Sequence, residues 1–166
     1  TLFSSTGAST RIEGAQLSDQ DVEKLISGLK LQSFADRDKQ EVQGYYELLE
    51  NIFQGYQSIK ITENTIKHLH KELLKYTDKD IRHRGEYKKQ ENKVVATDYT
   101  GKIVGVIFDT TSAFLTPKEM QELVEWFNYE LKLGEVEPLL LIASFIWEFL
   151  SIHPFQDGNG RLSRVL

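Results

Sequence analysis

Residues 138–164 read PLLLIASFIWEFLSI followed by HPFQDGNGRLSR. The first part starts with proline, a common first residue of helices, and is apolar on nearly every side, which predicts a helix that is central in a bundle. This helix should end at His153, because the residue before a proline avoids α geometry. A loop follows, and another helix is predicted from about Gly160 onward. These patterns indicate a mainly α fold with a polar loop between two helices.

The predicted loop and the helix start after it contain the residue types of a phosphate-binding site. Gly158 and Gly160 let the backbone approach a ligand closely, and Asn159 between them tolerates left-handed geometry. Such a stretch can turn several amides toward one anion, and the helix N-terminus adds further unpaired amides. Arg161 and Arg164 share one side of the predicted helix, and guanidinium groups suit phosphate oxygens. We therefore predict a di- or triphosphate site.

The loop also carries residues that go beyond binding. Asp157 supplies a hard oxygen ligand beside the predicted phosphates, as Mg²⁺ requires. His153 supplies a base that titrates near neutral pH and is fixed at a helix end. Taken singly, a structural histidine, a tight turn, solvated arginines and a capping aspartate are the simpler interpretations. Their combination in one short loop instead favours the attack of a hydroxyl on a nucleotide phosphorus.

The remaining sequence is helical apart from one hairpin. Apolar residues at helical spacing, next to capping residues, predict further helices from Ser18 to Leu29, from Asp36 to about Tyr56, after Thr62, and over residues 116–134. A change to β-branched residues predicts a hairpin over about residues 93–108, with its turn between Asp98 and Gly101. The aromatic residues, including Trp126 and Trp147, are interpreted as core.

The composition is that of an ordinary globular chain. Its 166 residues fit one domain, 1–166, and 40% of them are hydrophobic. The chain has no cysteine, which excludes disulfides, thiolate metal ligands and a cysteine nucleophile. A net charge of −5 does not suit a nucleic-acid surface, and no apolar run reaches the roughly 20 residues that span a bilayer. We expect a cytoplasmic location, and, because the chain starts at Thr1 without Met, we expect it to be part of a longer protein.

Residues 153–164 resemble the signature of the Fic domain family, H-P-F-x-D-G-N-G-R-x-x-R, at every fixed position. Gly85-Glu86-Tyr87 resembles the family's G-x-Y-R stretch, although Lys88 stands where arginine is usual. The predicted hairpin is similar to the family's flap, and residues 66–70 resemble the helix ahead of it. The resemblance implies a Fic fold, in which a helical bundle carries one β-hairpin flap over the active-site loop.

The resemblance also implies an activity, the transfer of AMP from ATP to a hydroxyl of a target protein. His153 would deprotonate that hydroxyl, and Asp157 would hold Mg²⁺. Phe155 would be buried as an anchor under the loop. The phosphates would be bound by Gly158, Asn159, Gly160 and Arg161, with the γ-phosphate at Arg164. The flap would bind a segment of the target protein as an added strand. ATP and this target are the expected partners, and the oligomeric state is left open.

Residues 9–14, STRIEG, resemble the family's inhibitory motif [S/T]-x-x-x-E-[G/N]. The motif lies ahead of the bundle, as in Fic proteins with an N-terminal inhibitory helix, so residues 1–30 would hold the inhibitory segment and the first helix. Ser9 and Glu13 occupy its fixed positions, and Glu13 would pair with Arg164 in the place that the γ-phosphate needs. We expect this pair to be buried and hard to break. The simpler interpretation is a solvated glutamate near a helix end.

Other functions remain open for the same residues. Some Fic relatives remove AMP, with the inhibitory glutamate helping to position water, and others transfer another nucleotide or a phosphate group. A different class of function is a non-catalytic module that senses a nucleotide. An intact His153 and Asp157 argue against that class, because a pure binding protein does not need a general base.

Overall fold

The computed structural model describes residues 1–28, 37–100 and 102–166, with the backbone alone described for Thr97. The chain divides into two compact units. Unit 1 comprises residues 1–85 and 160–166, and unit 2 comprises residues 86–159. Each unit is described by itself below. The prediction that residues 1–166 form a single domain stays a prediction.

Unit 1 is helical. Its elements are α1 (Leu2–Ile12), α2 (Asp19–Gly28), α3 (Arg37–Gly55), a 3-10 turn (Tyr56–Ser58), α4 (Glu63–Leu73) and a second 3-10 turn (Asp78–Asp80). The last helix of the chain, which contributes most of its length to this unit, is α7 (Asn159–Ser163). The predicted helices at these positions are confirmed. Leu29 and Asp36, which the sequence places at helix ends, lie outside the described residues.

Local capping and close packing explain where these helices start and meet. The Ser18 hydroxyl accepts from the Asp21 amide while the Asp21 carboxylate accepts from the Ser18 amide, as in a capping box. Thr62 caps α4 by accepting from the Thr65 amide at 3.0 Å. Gly44 lets α3 approach α4, because a Cβ at this position would collide with the carbonyl oxygen of Leu73.

Helix α1 is predicted by the family resemblance and not by local sequence pattern, because serine, threonine and glycine are weak helix formers. Its small side chains are what allow it to pack closely. Thr6, Ser9 and Thr10 are buried, and α1 lies against α2 and α3. Tertiary contact therefore overrides a weak local preference at the N-terminus of the chain.

Unit 2 contains the hairpin and two long helices. Its elements are β1 (Lys93–Thr97), β2 (Ile103–Asp109), α5 (Thr116–Leu133) and α6 (Pro138–Ile152). The strands pair antiparallel with Lys93 opposite Asp109, which confirms the predicted hairpin. Asp98 closes the turn by accepting from the amides of Thr100 and Lys102. Gly101, the other residue of the predicted turn, lies outside the described residues.

Helix α6 differs from the prediction of a helix buried on all sides. Its buried residues recur on one face: Leu141, Phe145, Phe149 and Ile152. The opposite face is exposed and carries Trp147, which is 75% exposed. Within unit 2, α5 covers one side of α6, and between the two helices runs a groove of about 700 Å³ that Trp126 and Trp147 both line. The interpretation of these two tryptophans as core residues is therefore wrong.

No helix within residues 1–28, 37–100 and 102–166 is both long and apolar enough to cross a bilayer.

Candidate active site

His153 lies at the C-terminal end of α6, as the sequence predicts. It is the capping residue, with φ 52° and ψ 59°, and its amide donates to the Phe149 carbonyl at 2.9 Å. In the described part of the chain it is the one non-glycine residue with positive φ. Left-handed geometry of this kind costs about 1–3 kcal/mol and persists where surrounding contacts enforce it, often at functional sites.

The imidazole of His153 is oriented by the turn that precedes it. Its Nδ1 lies 3.3 Å from the carbonyl oxygen of Leu150. A carbonyl can only accept a hydrogen bond, so this contact places the proton on Nδ1. In the neutral ring the lone pair is then on Nε2, which is the form of a histidine that acts as a general base.

The backbone on both sides of His153 is held by the segment that leads into β1. Four consecutive carbonyls, from Ile152 to Phe155, accept hydrogen bonds from Lys88 or Asn92. The Lys88 ammonium donates to Ile152 and its amide to Pro154, at 3.0 and 2.8 Å. The Asn92 side-chain amide donates to Phe155 at 2.9 Å and to His153 at 3.4 Å. These four carbonyls are therefore satisfied within unit 2.

Phe155 anchors the loop, as predicted. Its side chain is fully buried, and its ring packs 5.5 Å from that of Tyr87 and 6.4 Å from that of Phe149. Aromatic pairs at these centroid distances contribute packing beyond the area they bury. The residues after His153 are thus anchored by a buried aromatic side chain.

Asn159 closes the loop with its side chain. Its Oδ1 accepts from the Phe155 amide at 2.9 Å, and its Nδ2 donates to the Phe155 carbonyl at 2.7 Å. The side chain is buried and committed to these two bonds. A phosphate contact from Asn159, which the sequence predicts, is therefore restricted to its backbone in this conformation.

The amide of Gly158 already binds a carboxylate. Gly158 has φ 81°, and its N–H donates to Asp157 Oδ1 at 2.6 Å. Within the described ranges, no three His, Asp or Glu side chains are grouped to hold a metal ion. The partly exposed carboxylate of Asp157 does fit Mg²⁺ that arrives with a nucleotide, because this ion keeps several waters and is usually held by one or two carboxylates and the substrate phosphates.

The other predicted site residues lie in unit 1, where Arg164 meets the N-terminal helix. Its Nε donates to the Ser9 hydroxyl at 2.6 Å, and one Nη donates to the Ser9 carbonyl at 3.1 Å. The same Nη lies 2.7 Å from Glu13 Oε1. The structure therefore brings Ser9 and Glu13 of the inhibitory motif together with Arg164. A Cβ at Gly160 would collide with the Glu13 carboxylate, so glycine there permits this approach.

The Glu13–Arg164 pair is not buried, in contrast to the prediction. The two side chains are 34% and 29% exposed, respectively, because the pair lies at the end of α1 next to the exposed turn that contains Gly14. Solvent screens such a pair, and exposed ion pairs are typically worth about 0.2–1 kcal/mol. The hydrogen bonds from Arg164 to the buried Ser9 add to this, but the contact is weaker than that of a fully desolvated pair.

Arg161, which is predicted to bind phosphate, is buried and paired within unit 1. Its side chain is 2% exposed, and its Nη1 lies 2.9 Å from Glu41 Oε2, which is on α3 and 6% exposed. Glu41 also accepts from Arg37 Nε at 2.6 Å. In this conformation Arg161 is an interior partner of Glu41 and presents no surface to a phosphate, so its predicted phosphate contact finds no support in unit 1.

Strand β2 of the hairpin leaves its side chains open to solvent. All seven residues of β2 are exposed, including Ile103, Val104 and Ile107. Because the sheet has two strands, each strand also has an outer edge. Outer edges of this kind accept an added strand by backbone hydrogen bonding.

Comparison with known proteins agrees with this architecture. A model of the Fic/DOC family matches residues 60–166. The chain belongs to the Fic/DOC family. The crystal structure of a Fic domain containing signaling protein from Bacteroides thetaiotaomicron matches with a TM-score of 0.76 and 30% identity, over 95% of this chain and 57% of that chain. The mainly α Fic fold with one hairpin, as the sequence predicts, is confirmed.

Curated relatives of this Fic chain match over parts of their length. A Fido domain-containing protein of Dictyostelium discoideum is 38% identical over 64 residues, which are 36% of this chain and 45% of the relative. The protein adenylyltransferase and cysteine protease IbpA of Histophilus somni is 27% identical over 129 residues, which are 77% of this chain and 3% of the relative. The chain thus spans less than half the length of both relatives.

Sequence reasoning missed two features of this Fic chain. One is Glu41, which shares a helical face with Tyr45 and Leu48 and is buried with them. An acid in register with an apolar stripe signals a buried charge that needs a partner. The other is Lys88, whose difference from the family pattern is visible in the sequence but whose contacts with the loop are not.

Proposed function

We propose that this chain transfers AMP from ATP to a hydroxyl side chain of a target protein. The observation that carries the proposal is the His153 imidazole, fixed at the end of α6 with Nδ1 directed at the Leu150 carbonyl and Nε2 left as the basic nitrogen. The relative from Histophilus somni, which is named a protein adenylyltransferase, supports the same reaction class.

In the proposed reaction His153 Nε2 takes the proton of the attacking hydroxyl. The hydroxyl oxygen then forms a bond to the α-phosphorus of ATP, the bond from that phosphorus to the bridging oxygen breaks, and pyrophosphate leaves. The proton on the imidazolium returns to solvent. A general base of this kind contributes typically about 10²–10⁴-fold to a rate.

The rest of the motif binds the nucleotide in this proposal. The backbone amides of residues 158–160 and the guanidinium of Arg164 hold the phosphates, once the Gly158 amide has released the Asp157 carboxylate. Arg161 stays paired with Glu41 in the interior of unit 1. Asp157 holds Mg²⁺, which when bound neutralises charge on the phosphates and leaving group. The exposed edge of the hairpin binds the target as an added strand, which selects an extended segment and not a particular side chain.

Glu13 restrains the reaction in the same proposal. While its carboxylate binds Arg164, the guanidinium is not available to the γ-phosphate, and ATP is bound in a pose unsuited to in-line attack. The support is the 2.7 Å contact together with the Ser9 bonds. Because the pair is partly exposed, ATP can compete with it, so the restraint is graded and not absolute.

Self-modification by labelled ATP tests both parts without a known target. Glu13→Gly should incorporate the α-phosphate label up to about fivefold faster than the unaltered chain, since a partly exposed pair of this kind is worth at most about 1 kcal/mol and 1.4 kcal/mol is a factor of ten. The matched control is Glu135→Gly, which removes an exposed loop glutamate and should change nothing. Adding His153→Ala to Glu13→Gly should abolish transfer and leave nucleotide binding intact.

The label distinguishes the competing functions. Incorporation from γ-labelled ATP would show phosphate transfer, and release of AMP from premodified protein that depends on Glu13 would show the reverse reaction. Nucleotide binding without transfer of any label by Glu13→Gly would support a sensing module and refute the enzyme. Equal rates for Glu13→Gly and the unaltered chain would refute the restraint alone.

A further inference from the structure

Lys88 is a buried cation whose donors meet three oxygens. The side chain is 3% exposed. Its ammonium donates to Asn92 Oδ1 at 2.8 Å, to Thr110 Oγ1 at 2.9 Å and to the Ile152 carbonyl at 3.0 Å. An ammonium has three N–H donors, so this set uses all of them. Ile152 is the last residue of α6, and its carbonyl is one that the helix itself leaves without a partner.

The other two oxygens belong to the two ends of the hairpin. Asn92 precedes β1 and Thr110 follows β2. The Thr110 hydroxyl lies 2.6 Å from Asn92 Oδ1 and 2.9 Å from the Asn92 carbonyl, so the two ends are bound to each other. Asn92 then donates to the carbonyls of His153 and Phe155. One network thus joins both ends of the hairpin to the backbone before and after His153.

We propose that Lys88, acting through Asn92 and Thr110, is a positioning residue that holds His153 in its left-handed conformation. It thereby couples the orientation of the His153 imidazole to the hairpin. The inference rests on the proposed function. His153 needs such support, because its backbone conformation is strained and α6 supplies one amide bond to it. Lys88 supplies the charge that fixes the helix end immediately before it.

The charge of Lys88 is sensitive to pH. Burial lowers the pKa of the Lys88 ammonium to about 8, and the carboxylates of Glu91 and Glu119 act in the opposite direction. The ring of His153, one residue after Ile152, is the other titratable group along the held backbone. A neutral amine has two N–H donors and cannot serve three oxygens, so the network should loosen as the pH rises through about 8.

Deprotonation of Lys88 does not weaken the fold. The unfolded chain keeps this proton up to about pH 10.4, whereas the folded chain keeps it up to about pH 8. Between these values the unfolded state binds more protons, so stability rises with pH in this window. A loss of activity there, at unchanged or greater stability, is therefore the signature of a positioning role and not of unfolding.

The test compares Lys88→Met and Lys88→Arg with Lys89→Met, all in the Glu13→Gly chain. Lys89 is the exposed neighbour and the matched control. Label transfer from ATP is measured from about pH 6.5 to about pH 10, with the dissociation constant for ATP and the melting temperature measured at each pH. The Glu13→Gly parent and Lys89→Met should both lose activity above about pH 8 without a fall in melting temperature.

Lys88→Met should lower kcat by about 10–100-fold at pH 7.5, since a displacement of about 1 Å can cost about 10²-fold, while the dissociation constant for ATP changes by less than about threefold. Lys88→Arg should restore most of the activity and keep it above about pH 8, because a guanidinium stays charged there.

The inference would be overturned if folded Lys88→Met kept the parental kcat. It would also be overturned if Lys88→Arg lost activity at the same alkaline pH as the parent, and this second measurement decides the matter if Lys88→Met does not fold. If the Glu13→Gly parent binds ATP but transfers no label, the proposed function fails, and the His153 ring resonances then test Lys88. The inference requires these resonances to shift in Lys88→Met and to stay near their parental positions in Lys88→Arg and Lys89→Met. Unshifted resonances in folded Lys88→Met, or resonances in Lys88→Arg that change above about pH 8 as those of the parent do, would overturn it.

Discussion

Replacing Glu41 by glutamine should destabilise the protein far more than a change to any exposed glutamate. Glu41 Oε2 lies 2.9 Å from Arg161 Nη1, and the side chains are 6% and 2% exposed. Glutamine keeps the size and one acceptor oxygen of Glu41 but removes its charge. Arg161 would then be a buried cation that has lost the carboxylate of Glu41, and it cannot respond by losing its proton.

The expected loss follows from this burial. Removing one partner of a buried ion pair typically costs about 3–5 kcal/mol, which is a large part of the roughly 5–15 kcal/mol that stabilises a domain. For a chain of this size, each 1 kcal/mol lowers the melting temperature by roughly 2–4 °C, so a fall of roughly 6–20 °C is expected. Arg37 binds the same carboxylate but is 61% exposed, so Arg37→Gln should cost less than about 1 kcal/mol.

Urea unfolding followed by far-ultraviolet circular dichroism measures these losses. The measurement is made at about 0.1 M and about 1 M salt, because screening weakens exposed pairs and leaves buried ones nearly unchanged. Changing Glu41 and Arg161 together to methionine should recover most of the lost stability, since apolar pairs often replace buried ion pairs without loss. Equal effects of Glu41→Gln and Arg37→Gln, or a strong salt dependence of the Glu41→Gln loss, would refute the reasoning.

Three further substitutions test the loop and the helix packing. Phe155→Ala should cost about 3–5 kcal/mol in thermal unfolding, because it empties a fully buried site against Tyr87 and Phe149; a loss below about 1 kcal/mol would contradict this packing. Asn159→Ala should lower the melting temperature by several degrees, as about 1–3 kcal/mol is lost for each buried group left without its bond; an unchanged melting temperature would show that the loop closes in another way. Gly44→Ala should destabilise by about 1–3 kcal/mol in urea, because its Cβ meets the Leu73 carbonyl; Gly55→Ala, with open space around its Cβ, is the control, and equal losses would speak against close packing of α3 on α4.

The features that the sequence predicts correctly depend on local signals. Pro154 predicts where α6 ends. The β-branched runs predict the hairpin, and the pairing of Lys93 with Asp109 lies near the expected ends of its strands. These signals act over a few residues, so they survive in the folded chain. Glu13 and Arg164 lie near opposite ends of the sequence. A motif resemblance predicted their contact, which local chemistry alone would not predict.

The features that the sequence did not predict concern the burial and the contacts of individual side chains. The sequence predicts a phosphate contact for Arg161 but not its burial, which depends on Glu41, a residue far away in sequence. Periodicity identifies the apolar faces of α6 but not whether another element covers them, so the exposure of Trp147 could not be predicted. The role of Lys88 was hidden for the same reason, since its three acceptors come from separate parts of unit 2.

The exposed groove between α5 and α6 has a practical consequence for spectroscopy. The chain has two tryptophans, and both line this groove, at 38% and 75% exposure. Intrinsic emission excited at the indole band therefore arises from one place on the surface of unit 2. It should be red-shifted and open to quenching by acrylamide in the isolated chain. Any molecule that covers the groove would shift the emission to the blue, so the protein carries its own label-free reporter of contact on this face.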